Sequence, residues 1–329
     1  MRAMTVAEAR HELVAAHKPM PQARGHDVML RVLACGVCRT DLHIVDGELP
    51  PHHAAIVPGH EIVGRVVARG PQAKRYAIGQ RIGVPWLGQA CGHCEFCAID
   101  RENLCNYPVF TGYDRDGGFA EYAVADERFC FAIPARYDDA HAAPLLCAGL
   151  IGFRAWRLGG AATARRLGLY GFGAAAHIIC QIAIARGQEV YAFTRAGDTA
   201  GQAFARTLGA IWAGGSDEAP PVALDTALIF APVGSLVPTA LAAVHKGGMV
   251  VCAGIHMSTI PAFDYGLLWG ERVLKSVANL TRHDGEAFFN LIAELPLQTH
   301  VQTFELAEAN AAIQAVRDGR VSGAAVLIP

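Results

Sequence analysis

Metal-binding side chains cluster between Cys35 and Glu61 of the 329-residue chain, where the sequence reads CGVCRTDLHIVDGELPPHHAAIVPGHE. Cys38 and His60 offer a thiolate and an imidazole nitrogen, which zinc binds readily, and Asp41 or Glu61 can tune such a centre. A catalytic zinc takes three protein ligands and leaves one position open for water or substrate. The stretch therefore predicts an open metal site whose third ligand comes from elsewhere in the chain.

The alternative for this stretch is a redox pair formed by Cys35 and Cys38, which have the CxxC spacing of such motifs. A redox pair explains neither Thr40-Asp41 nor the Gly59-His60-Glu61 turn, so we favour the metal site. Metal-bound histidine usually donates its second N–H group to a carboxylate. Asp41 is therefore expected to hold the imidazole of a metal ligand.

A second group of thiols consists of Cys91, Cys94 and Cys97, with Cys105 after seven intervening residues. Four converging thiolates form a closed tetrahedral site with no position for substrate, so we favour structural zinc. An iron–sulfur cluster and a redox disulfide pair are the alternatives. Cys147, in the apolar stretch AAPLLCAG, is the candidate third ligand of the open site, although a lone cysteine in such a stretch is more often a small buried hydrophobe.

The composition restricts the function class. Hydrophobic residues make up 52% of the chain and charged residues 18%, with a formal net charge of -2, which argues against nucleic acid or an anionic membrane as partner. The N-terminal sequence lacks the apolar core of a signal peptide, and no run approaches the roughly 20 apolar residues of a membrane span. We therefore expect a cytoplasmic protein, whose cysteines are metal ligands or buried thiols.

The elements that must position these residues fall into two regions, and the length of the chain fits two domains. In the first third, β-branched runs at 28–32, 62–67 and 81–84 are separated by glycine, proline and polar turns, which predicts an irregular, barrel-like β domain. From residue 150 the pattern alternates between helix and strand, as a doubly wound parallel sheet requires. We expect strands at 166–171, 189–193, 224–231, 249–253 and 273–277.

A glycine-rich turn follows the first of these strands. The segment from Gly171 to Ala176 reads GFGAAA and opens a predicted helix at 177–186, which is a GxGxxA variant of the dinucleotide fingerprint. Small residues at Gly171, Gly173, Ala174 and Ala175 allow a tight turn and let the backbone approach a pyrophosphate at the helix N-terminus. The alternative is close helix packing without a ligand.

Together the motifs resemble those of the zinc-dependent alcohol dehydrogenases of the medium-chain dehydrogenase/reductase superfamily, over essentially the full chain. The resemblance is carried by the motifs CRTDLH (38–43), GHE (59–61), the four cysteines from 91 to 105, LCAG (146–149) and the turn at Gly171. It implies an α/β protein with a GroES-like, β-rich catalytic domain at 1–149, including a structural zinc lobe at about 88–108. A Rossmann cofactor-binding domain at 150–280 and a C-terminal return to the catalytic domain at 281–329 complete the implied organisation.

The resemblance also implies roles for individual residues. Cys38, His60 and Cys147 would hold a catalytic zinc that Glu61 approaches from behind, and the four-cysteine lobe a structural one, which makes two zinc ions per chain. The remaining implied roles are a proton relay of Thr40, the cofactor ribose and His43, a contact of Arg39 with the cofactor pyrophosphate, and an aromatic substrate pocket at Trp86 and Tyr113.

The implied activity is reversible hydride transfer between an alcohol, with its aldehyde or ketone, and NAD(P), in a homo-oligomer that is a dimer or a tetramer. The alternatives are a zinc-free quinone or enoyl reductase, a zinc-dependent polyol dehydrogenase and a non-catalytic zinc-binding relative. The ligand set argues against the first, and Cys147 with the four-cysteine lobe argues against the second. Thr40 and His43 beside an open metal site argue against the third.

The cofactor is predicted from the end of the second Rossmann strand. An acidic side chain there typically binds the ribose hydroxyls of NAD, whereas an arginine accepts the phosphate of NADP. Here the strand ends in Thr194-Arg195, with no carboxylate before Asp198. We therefore expect NADP(H) to be favoured over NAD(H). The alternative is that Arg195 stacks on the adenine and NAD is accepted.

Overall fold

The computed structural model describes residues 1–7, 11–321 and 323–329. The chain divides into two compact units, one formed by Met1–Cys147 with Asn279–Pro329 and the other by Ala148–Ala278. Among the described residues, no helix has both the length and the apolar character needed to cross a bilayer.

The elements follow one another along the chain in three stretches. Up to Cys147 they are β1 (Arg2–Val6), β2 (Leu13–His17), β3 (Asp27–Val37), α1 (Arg39–Val45), β4 (Glu61–Arg69), β5 (Arg81–Val84), β6 (Leu87–Gln89), β7 (Val109–Phe110), β8 (Tyr122–Asp126), β9 (Phe131–Ala132) and α2 (Asp139–Ala142). The second unit contains α3 (Ala148–Leu158), β10 (Arg166–Tyr170), α4 (Ala174–Ala185), β11 (Glu189–Thr194), α5 (Thr199–Thr207), β12 (Trp212–Gly215), β13 (Leu224–Ile229), α6 (Leu236–Ala243), β14 (Val244–Cys252) and β15 (Val273–Ser276). The return segment contains α7 (Arg282–Glu294), β16 (Val301–Glu305), α8 (Ala309–Arg317) and β17 (Ala324–Ile328).

The first unit is built on a sheet with the strand order β16-β17-β3-β4-β5-β9, and β8 also pairs with β3. Val28, Leu30 and Val32 alternate along β3 and are buried, as expected for a strand with one face on the core. The return segment supplies β17, which runs antiparallel to β3. The central strands β3 and β4 therefore each have a paired strand on both sides.

The second unit contains a parallel sheet with the order β12-β11-β10-β13-β14-β15, which is the expected doubly wound arrangement. Helix α4 begins at Ala174, three residues before the predicted start, because Gly173 is the last extended residue. Gly171 has φ +87°, and a Cβ there would lie 2.8 Å from the backbone nitrogen of Ala231. Glycine is therefore required at this turn for both reasons.

A partly buried ion pair joins the four-cysteine region to α7. Glu102 Oε1 accepts hydrogen bonds from the backbone N–H of Arg282 at 2.9 Å and from its Nε at 3.0 Å, and the guanidinium lies 5.0 Å from the centre of the Phe129 ring. Burial raises the pKa of Glu102, but the backbone and side-chain hydrogen bonds from Arg282 outweigh it and hold that pKa below its usual value. The ionised carboxylate therefore contributes to stability.

We expect Glu102→Gln to lower the free energy of unfolding by about 1.5–3 kcal/mol at pH 7, the usual contribution of hydrogen bonds to a charged group. Because the pKa is depressed in the folded state, this contribution is present above the unfolded-state pKa and is lost as the pH falls through the folded one. Urea denaturation from pH 7 to well below the usual glutamate pKa of about 4.3 should show the wild type and the variant converging in acid.

Glu286→Gln is the matched control, because Glu286 pairs with Arg75 on the surface and its side chain is 52% exposed. That change should cost no more than about 1 kcal/mol. Equal losses from the two substitutions would contradict the stabilising role of the Glu102 pair.

Candidate metal centre and cofactor-binding turn

The pairing of β3 with β4 brings the two ends of the metal-binding stretch together. Gly36 lies opposite Glu61 in this antiparallel pair, so Cys38, just after β3, and His60, just before β4, lie at the same end of the sheet. A Cβ on Gly36 would lie 1.8 Å from Glu61 Oε2. Glycine at this position therefore leaves the space that the carboxylate occupies.

The start of α1 holds Cys38 in place. Cys38 is the N-cap residue, and its sulfur accepts the backbone N–H of Thr40 at 3.3 Å. Asp41 accepts the backbone N–H of Cys38 at 2.9 Å, which completes a capping box. The same carboxylate accepts the N–H of Gly59 at 3.0 Å, so Asp41 ties the helix to the turn before His60.

Four potential ligand atoms converge here, from Cys38, His60, Glu61 and Cys147, all within 4.8 Å of one another. His60 Nε2 lies 3.2 Å from Cys38 Sγ, and His60 Nδ1 lies 3.4 Å from Asp41 Oδ1. Both His60 and Asp41 are fully buried. One ring nitrogen thus faces the other ligands while the second faces a carboxylate, the usual arrangement of a metal-bound histidine.

The electrostatics of this cluster fit a cation. Glu61 Oε2 is buried and has no hydrogen-bond partner in the described part of the chain. Burial and the negative charge of Cys38 raise the pKa of Glu61 well above its usual value, whereas the hydrogen bond from Cys147 lowers the pKa of Cys38. Two sulfurs, an imidazole and a buried carboxylate match the ligand preferences of zinc.

The second cysteine cluster has a different geometry. The sulfurs of Cys91, Cys94, Cys97 and Cys105 lie within 4.8 Å of one another, and the Cys94–Cys105 and Cys91–Cys97 pairs are each separated by 3.9 Å. Zinc–sulfur bonds of about 2.3 Å give a tetrahedron with an edge of roughly 3.8 Å. The four sulfurs are therefore spaced for a single ion, whereas a cluster of several irons would spread them further apart.

Backbone N–H groups lower the pKa of Cys91 and Cys94, whereas burial raises the pKa of Cys97 to about 12. Cys105 Sγ accepts the N–H of Cys91 at 3.2 Å and that of Tyr107 at 3.3 Å, and Cys91 Sγ accepts the N–H of Cys94 at 3.3 Å. Backbone hydrogen bonds from Asn106 and Cys97 lower the pKa of Cys94 to about 6. Such donors stabilise the charged sulfur that a metal requires.

The candidate relay residues lie on α1, next to Cys38. Thr40 is 7% exposed, in the first turn of the helix. His43 is in the last turn, and its Nδ1 contacts the carboxylate of Glu48. Arg39 begins the helix and is exposed.

An aromatic wall adjoins the metal-binding residues. The ring of Trp86 meets that of His60 edge-on, with a centroid separation of 5.0 Å. Phe110 stacks on Trp86 at 4.9 Å, and Tyr113 lies 6.0 Å from Trp86. The sequence indicates Trp86 and Tyr113 but not Phe110, which faces Trp86 because β6 pairs with β7 and puts Leu87 opposite Phe110.

In the second unit, the predicted glycine-rich turn links the end of β10 to the start of α4. The first N–H groups of a helix have no intrahelical acceptor, and no side chain caps α4. A Cβ added to Gly173 would meet nothing within 4 Å. The turn formed by Gly171, Gly173, Ala174 and Ala175 thus offers backbone donors in open space, which fits a pyrophosphate.

The structure distinguishes the two residues at the end of β11. The Thr194 hydroxyl is buried and lies 3.1 Å from Arg195 O and 3.4 Å from Gly214 O, and it accepts a hydrogen bond from Gln202 Nε2 at 3.3 Å. Arg195 is exposed. Asp198 accepts the N–H of Gly201 at 2.9 Å and caps α5. Arg195, rather than Thr194, is thus the side chain available to a cofactor phosphate.

Comparisons with known proteins agree with this arrangement. Residues 24–135 match the family described as "Alcohol dehydrogenase GroES-like domain". The chain is 41% identical over 315 residues to a probable alcohol dehydrogenase, AdhA, of Mycobacterium tuberculosis, covering 94% of this chain and 90% of that protein. It is 33% identical to an alcohol dehydrogenase of Geobacillus stearothermophilus, covering 99% and 98% of the two chains.

Two solved dehydrogenase and reductase structures resemble this chain over nearly its whole length. An acetophenone reductase from Geotrichum candidum in complex with NAD is 25% identical, with a TM-score of 0.89 over 100% of this chain and 97% of that one. A cinnamyl alcohol dehydrogenase from Sorghum bicolor is also 25% identical, with a TM-score of 0.90 over 99% and 97% of the two chains. The expected fold, a GroES-like β-rich domain with a Rossmann parallel-sheet domain, is confirmed.

Proposed function

The chain belongs to the zinc-type alcohol dehydrogenases of the medium-chain dehydrogenase/reductase superfamily, and we propose that Cys38, His60 and Cys147 hold its catalytic zinc with Glu61 behind the metal. The protein is an NAD(P)-dependent oxidoreductase that transfers hydride reversibly between an alcohol carbon and the nicotinamide. The observation that carries the assignment is the convergence of these four side chains within 4.8 Å.

Zinc at this site would supply a Lewis acid that favours negative charge on the substrate oxygen. Asp41 Oδ1 lies 3.4 Å from His60 Nδ1, where a carboxylate would keep Nε2 directed at the other ligands. Oxidation of an alcohol to a carbonyl compound removes a hydride from carbon, which bound NAD(P) would accept, and a proton from oxygen. Thr40 takes up that proton through its hydroxyl as it passes its own proton on, and His43 delivers the proton to solvent.

The four-cysteine cluster is proposed to hold a second, structural zinc, supported by the 3.9 Å sulfur separations. We also propose that 1–149 and 281–329 form the catalytic domain and 150–280 the cofactor-binding domain, bounds that lie within two residues of those of the two compact units. Gly171, Gly173, Ala174 and Ala175 are proposed to bind the cofactor pyrophosphate, to which Arg39 would contribute.

The substrate is proposed to be a primary or secondary alcohol, with its aldehyde or ketone. Trp86 and Tyr113, joined by Phe110, present an aromatic wall beside His60, which suits an apolar substituent. We further propose that the protein is a cytoplasmic homo-oligomer, a dimer or a tetramer. A nucleic-acid partner is not proposed, because the formal net charge is -2.

Steady-state rates test the function directly. A panel of short, branched and aromatic alcohols and aldehydes, each measured with NAD(H) and with NADP(H), should show turnover that chelation abolishes and zinc restores. Activity restricted to sugar alcohols would favour a polyol dehydrogenase. No turnover with any pair, in protein that contains zinc, would favour a non-catalytic relative.

The cofactor preference is a separate prediction. We expect NADP(H) to be favoured over NAD(H), because the exposed Arg195 follows β11 and Asp198, the first carboxylate after it, is engaged in capping α5. Arg195→Ala should lower kcat/KM for NADP(H) about tenfold, the value of a charge-assisted hydrogen bond, and leave NAD(H) little changed.

Arg186→Ala is the control, since Arg186 is also exposed but lies at the other end of α4 from the glycine-rich turn. It should alter neither cofactor's kcat/KM. A wild-type preference for NAD(H) that Arg195→Ala leaves unchanged would overturn the cofactor assignment and support stacking of Arg195 on the adenine.

A further inference from the structure

The carboxylate of Glu48 lies against the imidazole of His43. After α1 the chain reverses at Gly47, which has φ +72°, and the backbone N–H groups of Glu48 and Leu49 both donate to His43 O, at 3.0 and 3.3 Å. This wrap around the end of the helix brings Glu48 Oε2 into contact with His43 Nδ1. The backbone path after the helix therefore brings the carboxylate within reach of the imidazole.

Exposure differs between the two side chains. The His43 side chain is 17% exposed, whereas that of Glu48 is 55% exposed. The ring is held mostly within the protein, with the carboxylate on its solvent side. The other carboxylate at this helix end, Asp46, is engaged elsewhere, since its Oδ1 accepts from Arg317 at 2.5 Å and lies 3.5 Å from His11 Nδ1.

We infer that Glu48 is a positioning residue that fixes the tautomer of His43 for proton transfer, an inference that rests on the relay proposed above. An ionised carboxylate only accepts hydrogen bonds, so the contact with Glu48 requires the proton on Nδ1 of the neutral ring. The lone pair is then on Nε2, the nitrogen that receives the substrate proton.

In other carboxylate–histidine pairs the acid likewise sets the tautomer and orientation of the base without itself taking the proton. No proton accumulates on the protein over a turnover. During oxidation His43 gains a proton on Nε2 and returns it to solvent, and Nδ1 keeps its proton throughout. Glu48 touches neither substrate nor cofactor in this scheme, and it acts through His43.

The experiment uses zinc-loaded full-length protein labelled with ¹⁵N in its histidine rings. His43 signals are identified by their loss in His43→Gln. In the wild type, at a pH where the ring is neutral, we expect a protonated Nδ1 and an unprotonated Nε2. Glu48→Ala should let the Nε2–H tautomer, the major one of histidine in water, become populated, and should lower kcat about tenfold, within the range of general acid–base contributions.

Glu48→Gln separates tautomer from charge, because its amide oxygen can still accept from Nδ1–H. It should keep the wild-type tautomer and lose less turnover than Glu48→Ala. Asp46→Asn is the neighbouring control and should leave the ring shifts of His43 unchanged. In both Glu48 variants KM should change less than kcat, since the substrate pocket is untouched, and Asp46→Asn should change neither.

Two results would overturn the inference and are distinguishable. A wild-type His43 protonated on Nε2, or Glu48→Ala with unchanged ring shifts and kcat, would show that Glu48 does not position the ring. Ring shifts that respond as expected, together with full activity of His43→Gln, would instead show that His43 carries no relay. The proposed relay would then fail, and the catalytic consequence of Glu48 with it.

Discussion

Cys147→Ser is expected to abolish turnover and remove about one zinc per chain while the fold stays intact. The substitution takes a soft thiolate from an open site with three protein ligands, so zinc is held too weakly to remain. The other zinc, at the closed four-cysteine site, should stay bound. Metal analysis, circular dichroism and steady-state rates on the same preparation measure the three expectations.

Cys97→Ser is the informative counterpart, because the same atom is lost from the closed site. There the metal contributes directly to folding, so the main effect should be reduced thermal stability and loss of the structural zinc. Cys252→Ser, at a half-buried thiol outside both clusters, should retain both metals. Loss of both metals from either ligand substitution would refute the division into a catalytic and a structural site.

Thr40→Val is expected to reduce turnover by about 10²–10⁴-fold, the range for a positioned proton-transfer group, with normal zinc content. Valine preserves the shape of the 7% exposed side chain but has no hydroxyl. The backbone N–H of residue 40 still donates to Cys38, so the metal site should be undisturbed. Rates and metal content of the same preparation check both points.

Thr40→Ser keeps the hydroxyl and should retain most of the activity. His43→Gln should lose less than Thr40→Val, because water can accept the proton at the outer end of the relay. Normal turnover of Thr40→Val would end the assignment of the proton path.

Features set by neighbouring residues could be predicted from the sequence alone. The CxxCxxC spacing lets three sulfurs reach one ion, and a glycine-rich turn after a strand predicts its own backbone conformation. The strand runs at 62–67 and 81–84 are confirmed as β4 and β5, because β-branched alternation is a local signal. Helix α4 begins three residues before the predicted start, because small residues are equally compatible with a turn and with the first turn of a helix.

Side-chain directions and long-range pairings were decided only by the tertiary structure. The sequence offers Thr194 as a hydrogen-bond donor to the cofactor, but packing of β11 beside β12 places its hydroxyl near Gly214 O inside the protein. Phe110 reaches Trp86 only through the register of β6 with β7, and Glu48 reaches His43 only through the wrap after α1. Register, burial and rotamer depend on contacts between segments far apart in the chain or on the exact path of a turn, which residue types and spacing do not encode.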